Sequence, residues 1–124
     1  MKILVVDDEM FARRSFARIM TGKDVDLMMV DNSCDGYDMY CTERPDIVIA
    51  DIMMAGLDGD WLITKILQNF PDANIIVCSG KPMEELLKYK LMGAKACIQK
   101  PVIYNKFWNI VDKIMEEQRK DEAL

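Results

Sequence analysis

Short runs of uninterrupted apolar residues are the feature of this chain that most constrains its fold. Residues 3–6, 27–30 and 75–78 and the segment Ile47–Ala50 are each four apolar residues long, and Ala96–Gln99 is a weaker fifth run. Apolar runs of this length without alternation predict strands that are buried on both faces. Such strands occur in parallel sheets covered by helices on both sides.

The segments between these runs carry apolar residues at helical spacing, which predicts helices over residues 10–20, 33–42, 59–69, 83–92 and 104–115. The last is the most regular, and its stripe places Trp108 in the core. The charged residues 116–122 are predicted to be solvated and frayed. In the second helix, Ser33 is the expected N-cap and Cys34, Tyr37 and Cys41 share a face; in the fourth, Met83, Leu86, Leu87 and Leu91 form a stripe.

The alternation of strands and helices predicts an α/β fold with a doubly wound, five-stranded parallel sheet. A length of 124 residues fits one domain. We assign residues 1–118 to it and residues 119–124 to a charged C-terminal tail.

Charge and composition exclude several classes of protein. The formal net charge of −5 disfavours nucleic-acid binding, and no apolar run is long enough to cross a bilayer. The amino terminus has no signal-peptide pattern, and the four cysteines have no C-x-x-C spacing. These features predict a cytoplasmic protein with reduced thiols. The chain has no histidine, so any metal must be held by oxygen, which favours hard ions such as Mg²⁺.

Reactive side chains stand where four of the strands end: Asp7 and Asp8, then Asp51, Ser79 and Lys100. The carboxyl ends of parallel strands meet at one edge of the sheet, where ligands bind. Asp51 alone could simply cap the following turn. However, carboxylates about 6 Å apart repel each other by roughly 3 kcal/mol at an effective dielectric constant near 20, so three acids predict a bound cation.

Lys100 and Ser79 extend this site from metal binding toward phosphate chemistry. A lysine supplies a mobile positive charge and a serine supplies a hydroxyl donor, both suited to phosphoryl oxygens. With Mg²⁺ they predict phosphoryl transfer to a carboxylate, in which positioning and charge neutralisation provide the catalysis.

Over nearly its whole length the chain resembles a response-regulator receiver domain of two-component signalling. The resemblance rests on Asp7-Asp8, Asp51, Ser79-Gly80, Lys100-Pro101, and on Asp58-Gly59 and Gly93-Ala94. It implies the flavodoxin-like strand order 2-1-3-4-5, a phosphoacceptor at Asp51 and often a cis peptide at Lys100-Pro101.

The resemblance also implies roles for the neighbouring residues. Asp8, Asp51 and the Met53 backbone carbonyl would bind Mg²⁺ (or Mn²⁺), and Asp7 would act largely through water. Ser79 would hydrogen-bond the phosphoryl group and Lys100 would pair with it, while the small Gly80 would leave room for it.

Two positions depart from the family pattern. The family often has proline where this chain has Ala55, and a switch aromatic where it has Cys97. Neither Val102 nor Tyr104 clearly replaces that aromatic. Cys97 is either a small buried hydrophobic residue or a participant in the switch.

The implied partners are a sensor histidine kinase or phosphotransfer protein, and a downstream effector or output domain. The effector would use the Met83–Met92 helix, the fifth strand and the helix from Tyr104 to Gln118. A stand-alone receiver and part of a longer regulator fit the sequence equally.

A receiver-like interaction module that works without phosphorylation is the alternative function. A flavin carrier is a weaker alternative. Such a protein needs a phosphate-binding loop after the first strand, and this chain has acidic residues there.

Overall fold

The computed structural model describes residues 1–56 and 58–123. In this part of the chain, strands and helices alternate in the predicted way. None of the described helices is both long enough and apolar enough to cross a membrane. The strands are β1 (Lys2–Val6), β2 (Asp26–Val30), β3 (Ile47–Ala50), β4 (Ile75–Ser79) and β5 (Ala96–Gln99); the helices are α1 (Met10–Ile19), α2 (Ser33–Glu43), α3 (Gly59–Asn69), α4 (Met83–Met92) and α5 (Tyr104–Ala123).

The strands form one parallel sheet in the order β2-β1-β3-β4-β5, which confirms the predicted flavodoxin-like α/β topology. The carboxyl ends of β1, β3 and β4 therefore lie side by side, and β5 closes one edge. Every residue of β3 and β4 is buried, as expected for central strands covered on both faces.

The described residues pack into one apolar cluster on each face of the sheet. The first joins β1, β3 and β4 to α2, α3 and α4, and the second joins the same strands to α1 and α5. Trp108 belongs to the second cluster, where its indole Nε1 donates to the Ile19 carbonyl oxygen at 3.2 Å. The prediction that Trp108 is a core residue is confirmed.

Helix α2 corrects the predicted N-cap and shows which of its faces is buried. Its N-cap is Asn32, whose side chain accepts from the Asp35 backbone N–H, whereas Ser33 is buried and donates to the Asp58 carbonyl oxygen at 2.9 Å. The buried face consists of Ser33, Gly36 and Tyr40, and Cys34 and Cys41 are exposed. Gly36 explains this orientation, because a Cβ there would come within 2.9 Å of the Val6 side chain.

The last two helices also differ from expectation. In α4, Leu86 is buried, but Met83, Leu87 and Leu91 of the predicted stripe are exposed. Helix α5 continues to Ala123, so the frayed end predicted for residues 116–122 is wrong; Leu124 lies outside the described residues. Its last turns are held by hydrogen bonds of Gln118 with Asn74 and Glu122, and by an ion pair of Arg119 with Glu116.

Gly59 provides a test of the packing of α3 against the sheet, because it lets the first turn of α3 lie in close contact with the end of β3. A Cβ at this position would lie 1.9 Å from the Asp51 carbonyl oxygen and 2.6 Å from the Ile52 Cα, and these backbone atoms cannot move aside cheaply. We therefore expect Gly59→Ala to lower the free energy of unfolding by about 3 kcal/mol or more, as measured by urea denaturation.

Gly80→Ala is the matched control. No described atom lies within 4 Å of a Cβ built at Gly80, so this change should cost less than about 1 kcal/mol. Equal stability of the two variants would contradict the close seating of α3 on β3.

Candidate functional site

Asp7, Asp51 and Lys100 meet at the carboxyl edge of the sheet. The Lys100 Nζ lies 2.8 Å from Asp7 Oδ2 and 2.9 Å from Asp51 Oδ2. The two aspartate side chains are almost wholly buried, at 2% and 5% exposure, whereas the lysine side chain retains 23%. One ammonium group is thus shared by two buried carboxylates.

The sheet topology creates this arrangement. β1 and β3 are neighbours, and the Asp51 backbone N–H donates to the Val6 carbonyl oxygen at 3.1 Å, which aligns the ends of the two strands. Lys100 follows β5, and its backbone N–H donates to the Ser79 carbonyl oxygen at 2.8 Å. Because β4 separates β3 from β5, the long lysine stem has to reach across the end of β4.

The second oxygen of each shared carboxylate is held by the backbone. Asp51 Oδ1 accepts from the Met53 N–H at 3.0 Å, and Asp7 Oδ1 accepts from the Glu9 N–H at 3.0 Å. Asp51 therefore does stabilise the following turn, as its simplest interpretation required. Its other oxygen is nevertheless directed at Lys100, so turn formation alone does not account for this residue.

Asp8 lies at the exposed side of the same edge. Its Oδ2 accepts from the Ala55 backbone N–H at 3.1 Å, which connects the end of β1 to the loop after Asp51. A proline has no N–H to donate. This contact is therefore possible only because the chain has Ala55 at the position where the family often has proline.

Ser79 and Gly80 complete the edge between Asp51 and Lys100. Ser79 is fully buried, and its Oγ accepts from the Lys81 backbone N–H at 3.3 Å. Gly80 is exposed, and a Cβ added to it would have no described atom within 4 Å, so the space beside Ser79 is open. The predicted residues Asp7, Asp8, Asp51, Ser79 and Lys100 are all found at this edge.

The electrostatics of the site keep Lys100 charged. Partial burial acts to lower the pKa of Lys100, but hydrogen bonds to Asp7 and Asp51 and their negative charges outweigh it and raise the pKa above its ordinary value. Cys78, behind the site in β4, is buried, and burial raises the pKa of its thiol to about 12. Its thiol is therefore neutral at physiological pH.

The oxygen atoms at this edge suit a hard cation. Among residues 1–56 and 58–123, no three acidic or cysteine side chains stand together as a ready-made metal cage. Mg²⁺ does not require one, since it binds through one or two carboxylates and keeps several waters. The Asp8 and Asp51 carboxylates and the Met53 carbonyl are oxygen donors of the type that Mg²⁺ prefers, so the chemistry of these residues fits the ion.

Two contacts that support the site were not predicted from the sequence. The Arg13 guanidinium Nη1 donates to the Asp7 carbonyl oxygen at 2.8 Å, and Ser33 binds the Asp58 carbonyl at the start of α3. Arg13 is one of several charged residues in α1, and no sequence pattern distinguishes it from the others. Ser33 has the sequence position of an ordinary N-cap. Its hydrogen bond to Asp58 forms only in the tertiary structure, so the local sequence does not indicate it.

Comparison with known proteins extends this description. The family model described as response regulator receiver domain matches residues 3–112. The chain is 38% identical over 106 residues to the chemotaxis protein CheY of Treponema pallidum, covering 82% of this chain and 73% of that protein. It is 35% identical to the oxygen regulatory protein NreC of Staphylococcus carnosus, but that match spans 81% of this chain and only 48% of the relative.

Solved structures support the same fold. A CheY-like receiver domain from Methanospirillum hungatei covers 97% of both chains with a TM-score of 0.88 and 24% identity. NtrX from Brucella abortus covers 98% of this chain but 28% of its own length, with a TM-score of 0.90. From the family match and its agreement with the fold and the residues at the sheet edge, we conclude that this chain belongs to the response regulator receiver domain family.

Proposed function

We propose that the chain is a phosphorylatable receiver that accepts a phosphoryl group on Asp51 in a Mg²⁺-dependent reaction. The observation that carries the proposal is the Lys100 ammonium shared by Asp51 and Asp7. A carboxylate held by a lysine beside an open space and a hydroxyl has the surroundings that a transferred phosphoryl group needs. The proposal places the protein in the cytoplasm, with a sensor histidine kinase or phosphotransfer protein as the donor.

In the reaction, an oxygen of Asp51 attacks phosphorus as the bond from phosphorus to the donor nitrogen breaks, and the donor keeps that electron pair. Lys100 then pairs with a phosphoryl oxygen, while the Ser79 hydroxyl donates to another. The backbone N–H of Met53 holds the acceptor carboxylate in orientation during the attack. The open space at Gly80 receives the group.

Asp8, Asp51 and the Met53 carbonyl would hold Mg²⁺ (or Mn²⁺), with Asp7 acting largely through water. The ion would neutralise the charge that accumulates when a phosphoryl group approaches three acids. Asp8 would leave its contact with the Ala55 N–H for this purpose, and its exposed position makes that change inexpensive.

For the downstream partner, we propose the face formed by α4, β5 and α5. The exposed side chains of Met83, Leu87 and Leu91 give α4 an apolar surface. A groove beside it is lined by apolar residues, by three lysines and by one acidic residue, Glu117. The lining residues that fit an acidic, partly apolar partner segment are Leu87, Lys90, Lys95, Cys97, Ile110 and Lys113.

The first test is incubation with a small phosphodonor such as acetyl phosphate. We expect intact-mass measurement to detect one added phosphoryl group when Mg²⁺ is present and none when it is chelated. Asp51→Asn should abolish the adduct, because an amide lacks the nucleophilic oxygen charge.

Asp72→Asn is the matched control, since Asp72 is an exposed aspartate just before the amino end of β4, at the opposite edge of the sheet from Asp51, and its variant should accept the group normally. An undiminished adduct in Asp51→Asn would contradict the assignment of the acceptor. A wild-type protein that forms no adduct but still binds its partners would favour the phosphorylation-independent module.

The second test concerns Lys100→Ala. Removing one partner of a buried ionic cluster leaves two carboxylates without compensation, so we expect a loss of about 3 kcal/mol in the free energy of unfolding in EDTA. Mg²⁺ affinity should be unchanged or higher, because a competing cation is gone. Mg²⁺ should therefore recover at least part of the lost stability in urea denaturation, while phosphorylation remains impaired.

Lys2→Ala serves as the control, because it breaks an exposed ion pair with Glu43. Such pairs contribute about 0–1 kcal/mol, and Mg²⁺ should have no special effect on this variant. A large loss of Mg²⁺ affinity in Lys100→Ala would mean that Lys100 builds the metal site instead of competing with it.

A further inference from the structure

Asp8 stands apart from the buried ion cluster at the carboxyl edge of the sheet. The Lys100 ammonium contacts Asp7 and Asp51, and its ion pairs within the described part of the chain include no other carboxylate. Asp7 and Asp51 are buried, whereas Asp8 is exposed. The side chain of Asp8 is therefore positioned by a different contact.

That contact is a hydrogen bond from the loop that follows the acceptor. The Ala55 backbone N–H donates to Asp8 Oδ2 at 3.1 Å, although the two residues are 47 positions apart in the chain. One partner lies at the end of β1 and the other lies in the loop after β3. The bond therefore joins two segments that both border the acceptor, and it holds the Asp8 carboxylate toward the loop over residues 52–56.

In this position Asp8 does not share a ready metal site with its neighbours. In the part of the chain that the structure describes, no three acidic or cysteine side chains stand close enough to hold a metal ion together. Yet Asp7, Asp8 and Asp51 all follow the neighbouring strands β1 and β3. Asp8 therefore has to turn toward Asp51 before both carboxylates can bind one ion, and the bond to Ala55 opposes that movement.

We propose that the Ala55 backbone N–H competes with Mg²⁺ for the Asp8 carboxylate. Without the ion, Asp8 accepts from Ala55 and ties the loop over residues 52–56 to the end of β1. When Asp8 binds the ion, the Ala55 N–H loses its acceptor and the loop is released. Ala55 is thus a positioning residue that acts on the ion through Asp8. The inference rests on the metal site of the proposed function, since it requires Asp8 to be a ligand.

Competition of this kind couples the metal ion and the loop in both directions. A bond that stabilises the metal-free position of Asp8 lowers the affinity for Mg²⁺, and the ion weakens the hold on the loop by the same factor. One hydrogen bond of average net strength corresponds to a factor of about five. The loop that borders the acceptor is therefore held more firmly without the ion than with it.

Ala55→Pro tests the competition, because proline has no N–H and cannot hold Asp8. In a Mg²⁺ titration followed by amide NMR, this variant should bind the ion about fivefold more tightly than the wild-type protein does. Ala55→Val is the matched control, since valine has as many side-chain carbons as proline but keeps the N–H. Its affinity for Mg²⁺ should equal that of the wild-type protein.

A second variant separates the missing N–H from the stiffness of the proline ring. Replacing Ala55 by lactic acid converts its amide into an ester, which removes the N–H without adding a ring. This variant should bind Mg²⁺ about as tightly as Ala55→Pro does. Unchanged affinity in the ester would overturn the proposal. So would weaker binding in both variants, because it would mean that the Ala55 N–H orients Asp8 for the ion instead of competing with it.

Solvent exchange of the Ala55 amide supplies a readout that a merely structural role would not change. We expect this amide to exchange about fivefold faster in saturating Mg²⁺ than in EDTA, although bound ligands ordinarily slow exchange nearby. The Asp35 amide is the control, because it donates to the Asn32 side chain at 2.8 Å and should exchange equally in both conditions. Slower exchange of the Ala55 amide with Mg²⁺ would overturn the proposal.

Incubation with acetyl phosphate separates this inference from the proposed function. If the wild-type protein binds Mg²⁺ and forms the adduct, but Ala55→Pro binds the ion no more tightly, the competition alone is overturned. If the wild-type protein binds Mg²⁺ but forms no adduct, the phosphorylation alone is overturned, and the affinity of Ala55→Pro still decides the competition. A wild-type protein that does not bind Mg²⁺ overturns both proposals.

Discussion

The shared ion pair of Lys100 with Asp7 and Asp51 is the interaction on which the rest of this site depends. The two carboxylate oxygens contact the same nitrogen at 2.8 and 2.9 Å, so they can be separated by no more than the sum of those distances. At about 6 Å and an effective dielectric constant near 20, the carboxylates repel each other by roughly 3 kcal/mol. The lysine offsets this repulsion while its stem remains partly exposed, which leaves it able to move when a phosphoryl group or a metal ion enters.

The elements around Asp7, Asp51 and Lys100 differ in how firmly they are packed. The backbone of Asp51 is fixed by β1 on one side and by Gly59 on the other, so the acceptor cannot move without its surroundings. Helix α4 contributes few buried side chains among the described residues, and elements with few apolar contacts open and shift most easily. A fixed acceptor beside a loosely packed helix is the combination that a switch requires.

The parallel sheet and the convergence of the site residues could be predicted because both follow from short apolar runs that end in polar side chains, whereas the strand order came from the resemblance to receiver domains. The orientation of α2 could not, because it depends on the close approach of Gly36 to Val6, and the burial of Ser33 follows from it. The apolar stripe of α4 was also misleading. Its periodicity is correct for a helix, but Leu87 and Leu91 form an outer surface while Tyr89 faces the core. The end of α5 is held by the tertiary contact of Gln118 with Asn74, which no local pattern indicates.

The central claim is that Asp51, among the clustered acids, is the residue that carries the phosphoryl group. Borohydride reduction of the phosphodonor-treated protein converts an aspartyl phosphate to homoserine, and peptide mass sequencing then locates the converted residue. The account predicts homoserine at position 51 in the sample with Mg²⁺ and unmodified aspartate in the chelated sample. Conversion at position 7 or 8, or at position 51 regardless of Mg²⁺, would contradict it.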